Sequence, residues 1–252
     1  MNTNITSAPL SRKLPVGIQS FEKLRNEGFL YVDKTAFVYQ LAKAGIPCFL
    51  SRPRRFGKSL LLSTFEAYFL GKKELFRGLA IEQLEQDWFE YPVLHLSLNA
   101  EKYDSRERLA NMLESQLSLW EERYGITDIN ISYSIRFMTV IRRAYEQTGR
   151  RVVVLIDEYD KPLLRSFGDE ELQKEFRETL TAFYTVLKDA DPWLQFVFIT
   201  GVTKFAQMGI FSTLNQLNDI SLVPAYSAFT DHIALALPTK QLCCQQVFIL
   251  GF

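Results

Sequence analysis

Three cysteines and two histidines in 252 residues leave little from which to build a zinc site or a disulfide framework. Cys48 stands inside an apolar run, where a thiol behaves as a small hydrophobe. The adjacent Cys243-Cys244 pair has no histidine or cysteine partner at metal-ligand spacing, and His95 sits within a strand pattern as a packed side chain rather than a base. Net charge is absent as well. The 29 basic and 29 acidic side chains cancel, which removes a whole-chain electrostatic case for nucleic acid or an anionic membrane. No apolar run approaches the ~18 residues of a membrane span. Met1 to Pro9 lacks the charged-then-apolar order of a signal peptide, its first basic residues being Arg12 and Lys13. There are no internal repeats and no low-complexity linker. These absences point to a protein of the reducing cytosol, with no direct nucleic-acid signal in this chain and no membrane as a partner.

What is present is an ordinary globular composition, 47% hydrophobic and 23% charged. A chain of this size buries roughly 70% or more of its unfolded surface and needs no staple. Residues 1–13 read as a polar leader. Asp33 then precedes a helical pattern over 34–44 that stops at Gly45. An extended run, 46–51, leads through the basic turn Arg52-Pro53-Arg54-Arg55-Phe56-Gly57 into a helix over 58–70. A strand is expected at 92–98, and helices at about 104–124 and 132–148, joined around Gly125. The continuous apolar run Val152-Val153-Val154-Leu155-Ile156 reads as a strand buried on both faces. A helix over 169–190, a strand at 196–199 and a last strand at Ile220-Ser221-Leu222-Val223 complete the order. Strands alternating with helices imply an α/β domain with a mostly parallel sheet.

Two motifs carry chemistry. Gly57-Lys58-Ser59 stands between a strand and a helix, as a phosphate-binding loop requires. Backbone amides and a helix N-terminus face the anion, the lysine reaches the terminal phosphates and the serine hydroxyl binds Mg²⁺. The full pattern places another glycine five residues earlier, where this chain has Arg52. The second motif is Asp157-Glu158, at the C-terminal end of the buried strand, the edge where open α/β sheets bind ligands. Asp157 is expected to hold Mg²⁺ and Glu158 to polarise an attacking water. The alternative is a helix cap followed by a first-turn acid.

Arg52-Pro53-Arg54-Arg55-Phe56-Gly57-Lys58-Ser59 and Leu155-Ile156-Asp157-Glu158-Tyr159-Asp160-Lys161-Pro162 together resemble the AAA-ATPase-like family, whose members are often followed by a PD-(D/E)XK nuclease-like domain. Leu14-Pro15-Val16-Gly17-Ile18-Gln19, Tyr31-Val32-Asp33-Lys34-Thr35, Thr200-Gly201-Val202-Thr203-Lys204-Phe205 and the stretch from Leu214-Asn215 to Ser221 match as well. The likeness covers about residues 12–224, and the arginine in place of the first glycine is a trait of the family. It implies a three-layer P-loop NTPase of the ASCE type, with the strand ending at Thr200 between the phosphate-loop strand and the Asp157 strand. ATP and Mg²⁺ are the implied ligands. The implied nucleotide contacts are Arg54, Arg55, Phe56, Gly57, Lys58, Ser59 and Leu60. Ser59 and Asp157 are the implied metal ligands, and Lys58, Glu158 and Thr200 the catalytic groups. Thr200 or Thr203 is either a sensor of the terminal phosphate or a hydroxyl that merely ends a strand. Arg54 and Arg55 either add charge at the phosphates, face a neighbouring subunit, or form a solvated turn. Asp33 either caps its helix or belongs to a block that touches the base.

Residues 225–252 depart from the family. They carry only Asp231 and Lys240 as charged residues and end on Val247-Phe248-Ile249-Leu250-Gly251-Phe252. A truncated or frameshifted end is expected, with self-association or a protein partner as the use of so apolar a tail. The domain is thus 14–224, and its function Mg²⁺-dependent ATP binding with hydrolysis. The second reading is a nucleotide-gated interaction module with little or no turnover. A nuclease centre at Glu158-Tyr159-Asp160-Lys161 is the weakest reading.

Overall fold

The structure, a computed structural model, describes residues 13–127, 131–203 and 217–221. Residues 1–12, 128–130, 204–216 and everything from Leu222 onward lie outside the described residues, and with them most of the leader, parts of the blocks 200–205 and 214–221, the end of the expected last strand and the tail. In chain order come α1 (Phe21–Asn26), α2 (Thr35–Ala44), β1 (Cys48–Ser51), α3 (Lys58–Phe69), α4 (Ile81–Leu84) and β2 (Val93–Ser97). Then follow α5 (Arg106–Arg123), α6 (Tyr133–Thr148), β3 (Val152–Asp157), α7 (Lys161–Arg165), α8 (Glu170–Asp189), β4 (Leu194–Gly201) and β5 (Asn218–Asp219).

All strand pairs are parallel, in the order β2-β3-β4-β1-β5. Every residue of β3 is buried. The pleat sends Val152, Val154 and Ile156 to one side, against α5, α6 and α8. Val153 and Leu155 go to the other, with Phe196 and Phe198 of β4, against α1, α2 and α3. The apolar run in the sequence therefore reflects two covered faces, and the layers number three.

Helix ends follow local chemistry. Asp33 accepts from the Thr35 amide at 2.8 Å and the Thr35 hydroxyl at 2.6 Å, so it starts α2 one residue later than the periodicity suggests. Its other oxygen accepts from the Ala80 amide at 2.6 Å and ties the helix start to the loop before α4. The short helices α1, α4 and α7, of four to six residues, carry too little periodicity to be legible in the sequence.

The last strand also differs from expectation. It is Asn218–Asp219, paired with Cys48 and Phe49, and Ile220 follows it as a buried side chain. The Asn218 and Ile220 amides reach the carbonyls of Pro47 and Phe49 at 2.7 and 3.0 Å. The next amide on β1, Ser51, instead donates to the Ser221 hydroxyl at 2.8 Å, so a side chain replaces the ladder there. Cys48 is buried as expected, its thiol pushed up to about 12 by burial.

Candidate functional site

The parallel sheet brings the C-terminal ends of β1, β4 and β3 side by side. Beyond β1 the chain turns through Arg55 and Gly57, both left-handed at φ 69° and 72°, into α3. Gly57 occupies the N-cap position at no Cβ cost. The amides of a first helical turn have no acceptor within their own helix, so those of Lys58, Ser59 and Leu60 present partial positive charge at this edge. Leu60 contributes only its backbone, for its side chain packs in the core.

Lys58 is 5% exposed. Its Nζ donates to the carbonyls of Arg52 and Pro53 at 2.9 and 3.0 Å, folding the basic loop around the ammonium. Burial draws its pKa below the ordinary lysine value, against the opposing fields of Asp157, Glu158 and Asp160. Ser59 donates its hydroxyl to Asp157 Oδ2 at 2.6 Å, a contact across 98 residues of sequence. Arg54 and Arg55 are exposed and Phe56 is half-buried.

Asp157 closes β3, beside Ser97 of β2 in register. Thr200 of β4, fully buried, donates to Asp157 Oδ1 at 2.6 Å. The same hydroxyl accepts from the Glu158 amide at 3.4 Å, and the Thr200 carbonyl accepts from the Tyr159 amide at 2.9 Å. Glu158 sits at φ 53°, a left-handed conformation that non-glycine residues adopt rarely and only where the surroundings hold them. Lys58, Ser59, Asp157, Glu158 and Thr200 thus gather at one edge of the sheet, as the motifs imply. Thr200 meets the carboxylate turn itself, and its buried hydroxyl is committed there.

Sequence reasoning places Asp160 only in the weakest reading, the nuclease centre. Its carboxylate is fully buried, and Oδ2 accepts from the Val202 amide (2.9 Å), the Thr203 amide (2.8 Å) and the Thr203 hydroxyl (3.0 Å). It locks the turn after β3 to the chain leaving β4. The clue lay in two matching blocks, Asp157 to Pro162 and Thr200 to Thr203, whose contact only the fold reveals. A carboxylate so enclosed is not displayed for metal-assisted DNA cleavage. Lys161, next along, donates to both the backbone carbonyl and, at 2.7 Å, the side-chain oxygen of Asn99. His95 is half-buried, with Nδ1 3.0 Å from Glu66 Oε2, in keeping with a packing role.

No cluster of three or more His, Cys, Asp or Glu side chains suited to a metal occurs among the described residues. A hydroxyl and a carboxylate side by side nonetheless suit Mg²⁺, which keeps several waters and takes one or two protein oxygens beside phosphate. No helix among the described residues is long and apolar enough to cross a membrane.

Residues 15–211 match the family described as Predicted AAA-ATPase, and the chain belongs to that family. It is 42% identical over 219 residues to a protein of Azotobacter chroococcum mcd 1 named "Uncharacterized protein in vnfD 5'region". The match covers 86% of this chain and 42% of that relative, so the chain spans less than half the relative's length. No solved structure matches the chain. Family membership supports a nucleotide-binding function.

Proposed function

We propose that the chain binds ATP with Mg²⁺ at the edge where β1 and β3 end, and hydrolyses the β–γ bond. The observation that carries this reading is the 2.6 Å contact between the Ser59 hydroxyl and Asp157. It joins the first residues of α3 to the acidic end of a strand two places away in the sheet, as a phosphate loop and its metal-holding acid require. The strand order, with β4 between β1 and β3, supports the ASCE type.

The residues divide the work. The amides of Gly57 to Leu60 and the Lys58 ammonium receive the β- and γ-phosphates. Ser59 and Asp157 would hold Mg²⁺, which when bound neutralises charge on the phosphate oxygens. Glu158, projecting from a strained turn, orients the attacking water, and Thr200 keeps that turn in place. Arg54 and Arg55, exposed at the loop, add positive potential at the mouth.

Calorimetric titration of Mg·ATP into wild type and Lys58→Ala tests the site. Wild type should bind and the variant lose binding; equal affinity removes the loop assignment. Single-turnover hydrolysis of labelled ATP then separates catalysis from gating, because a nucleotide-gated interaction module binds without releasing phosphate.

A further inference from the structure

Two lysines stand at the C-terminal edge of the sheet with their ammonium groups satisfied by neutral oxygens. Lys58 rests on the carbonyls of Arg52 and Pro53. Lys161 rests on the carbonyl and side-chain oxygen of Asn99. Neither makes an ion pair among the described residues. Neutral acceptors satisfy the N–H groups yet leave the full positive charge, the condition in which an anionic ligand gains most by taking over the ammonium.

The topology says which anion. Asn99 lies two residues beyond Ser97, the register partner of Asp157, and Lys161 lies four beyond Asp157. The clasp therefore spans the ends of β2 and β3, next to the Asp157-Glu158 turn, whose Glu158 carbonyl accepts from the Lys161 amide at 3.0 Å. Lys58 follows β1, two strand spacings or about 10 Å from β3. Both lysines thus follow strands that end on one edge of the parallel sheet, and the charges of Glu158 and Arg54 act on both ammonium groups.

We propose that Lys161 is a second phosphate-binding cation, parked on Asn99 and transferred to the terminal phosphate of a bound nucleoside triphosphate. This rests on the nucleotide-binding reading above and adds to it a residue that distinguishes triphosphate from diphosphate within a single chain. Asn99 is the resting partner: it holds Lys161 toward β2 until the anion arrives. The opposing account is a structural clasp that only fastens the loop after β2 to α7.

The two accounts differ in sign. The test is calorimetric affinity for Mg·ATP and Mg·ADP in wild type, Lys161→Met and Asn99→Ala, with unfolding temperatures for each. Lys161→Met should lower the ATP-over-ADP preference about tenfold or more, the worth of one hydrogen bond to a charged group, and leave ADP affinity unchanged. Asn99→Ala should raise ATP affinity by removing one of the two acceptors that hold the lysine at rest, the backbone carbonyl remaining. A structural clasp lowers the unfolding temperature in both variants and leaves the preference intact, which overturns the proposal alone. Wild type that binds neither nucleotide overturns the site reading and this proposal together.

Discussion

A Cβ built on Gly201 would lie 2.4 Å from the ring of Tyr159. That ring cannot retreat cheaply. It is fully buried, packs edge-on against Phe49 with centroids 5.5 Å apart, and its hydroxyl donates to the Thr203 carbonyl at 3.0 Å. Glycine at the end of β4 is what lets the turn carrying Asp157 and Glu158 press against the strand. Gly201→Ala is therefore an overpacking change at the site's scaffold, expected to destabilise by about 1–3 kcal/mol. Thermal unfolding should show a fall of several degrees, with nucleotide affinity reduced alongside.

Thr200 supplies the other half of that scaffold. Thr200→Val keeps the shape and removes the hydroxyl, leaving Asp157 Oδ1 without this donor and the Glu158 amide without its acceptor. The stability cost should be about 1–3 kcal/mol. Because Thr200 acts through Asp157 and Glu158, turnover should fall more than tenfold with little change in KM for ATP, while Thr200→Ser keeps most of the rate. A rise in KM at constant turnover would instead mark direct phosphate binding.

How much of this was legible follows from range of interaction. The buried strand over Val152–Ile156 and the helix after Gly57 rest on local periodicity and a local turn, and both are where the pattern puts them. Lys58, Ser59 and Asp157 could be singled out as candidates because phosphate chemistry restricts residue type and position relative to strand ends, and the fold brings Ser59 and Asp157 into contact. Asp160 looked like any acid in a turn; that it points inward depends on where β4 leaves the sheet. The Asn99–Lys161 clasp joins residues 62 apart with no motif to announce it. The final strand was misplaced because apolar Ile220 marks burial, whereas pairing is decided by which amides find backbone acceptors on β1.

Arg136 shows the same blindness on the opposite face. It is 3% exposed and pairs with Glu121, also 3% exposed, at 2.7 Å and with Glu114 at 2.5 Å. In sequence these are ordinary charges on two polar helices. Arg136→Ala leaves Glu121 buried without its cation and should destabilise by about 3–5 kcal/mol, read by chemical denaturation. The double change Arg136→Met, Glu121→Leu should recover most of that loss. The Arg136 hydrogen bond, outweighing burial, holds Glu114 below the usual carboxylate range. Its contribution is thus present above the unfolded value of about 4.3 and is lost as pH falls through the lower folded value. The effect is modest, since Glu114 is 45% exposed, and Glu114→Gln should abolish that part of the acid loss.

Asp160 titrates with the opposite sign. Burial pushes its carboxyl above the ordinary value, against the amide hydrogen bonds of Thr203 and Val202. The folded chain therefore holds this proton more tightly than the unfolded one, and stability falls as pH rises from about 3.9 through the higher folded value. Asp160→Asn keeps an oxygen for the Val202 and Thr203 donors and removes the buried charge. Its hydrogen bonds are weaker, but its stability lacks that pH slope, so its deficit against wild type should narrow as pH rises through the window. Asp160→Ala leaves three donors without their acceptor and should be the more damaging by at least about 1–3 kcal/mol at every pH. Denaturant unfolding of the three proteins from pH 4 to 8 checks both statements. A deficit for Asp160→Asn that widens with pH would mean that the native site stabilises the charged carboxylate, contrary to its enclosure.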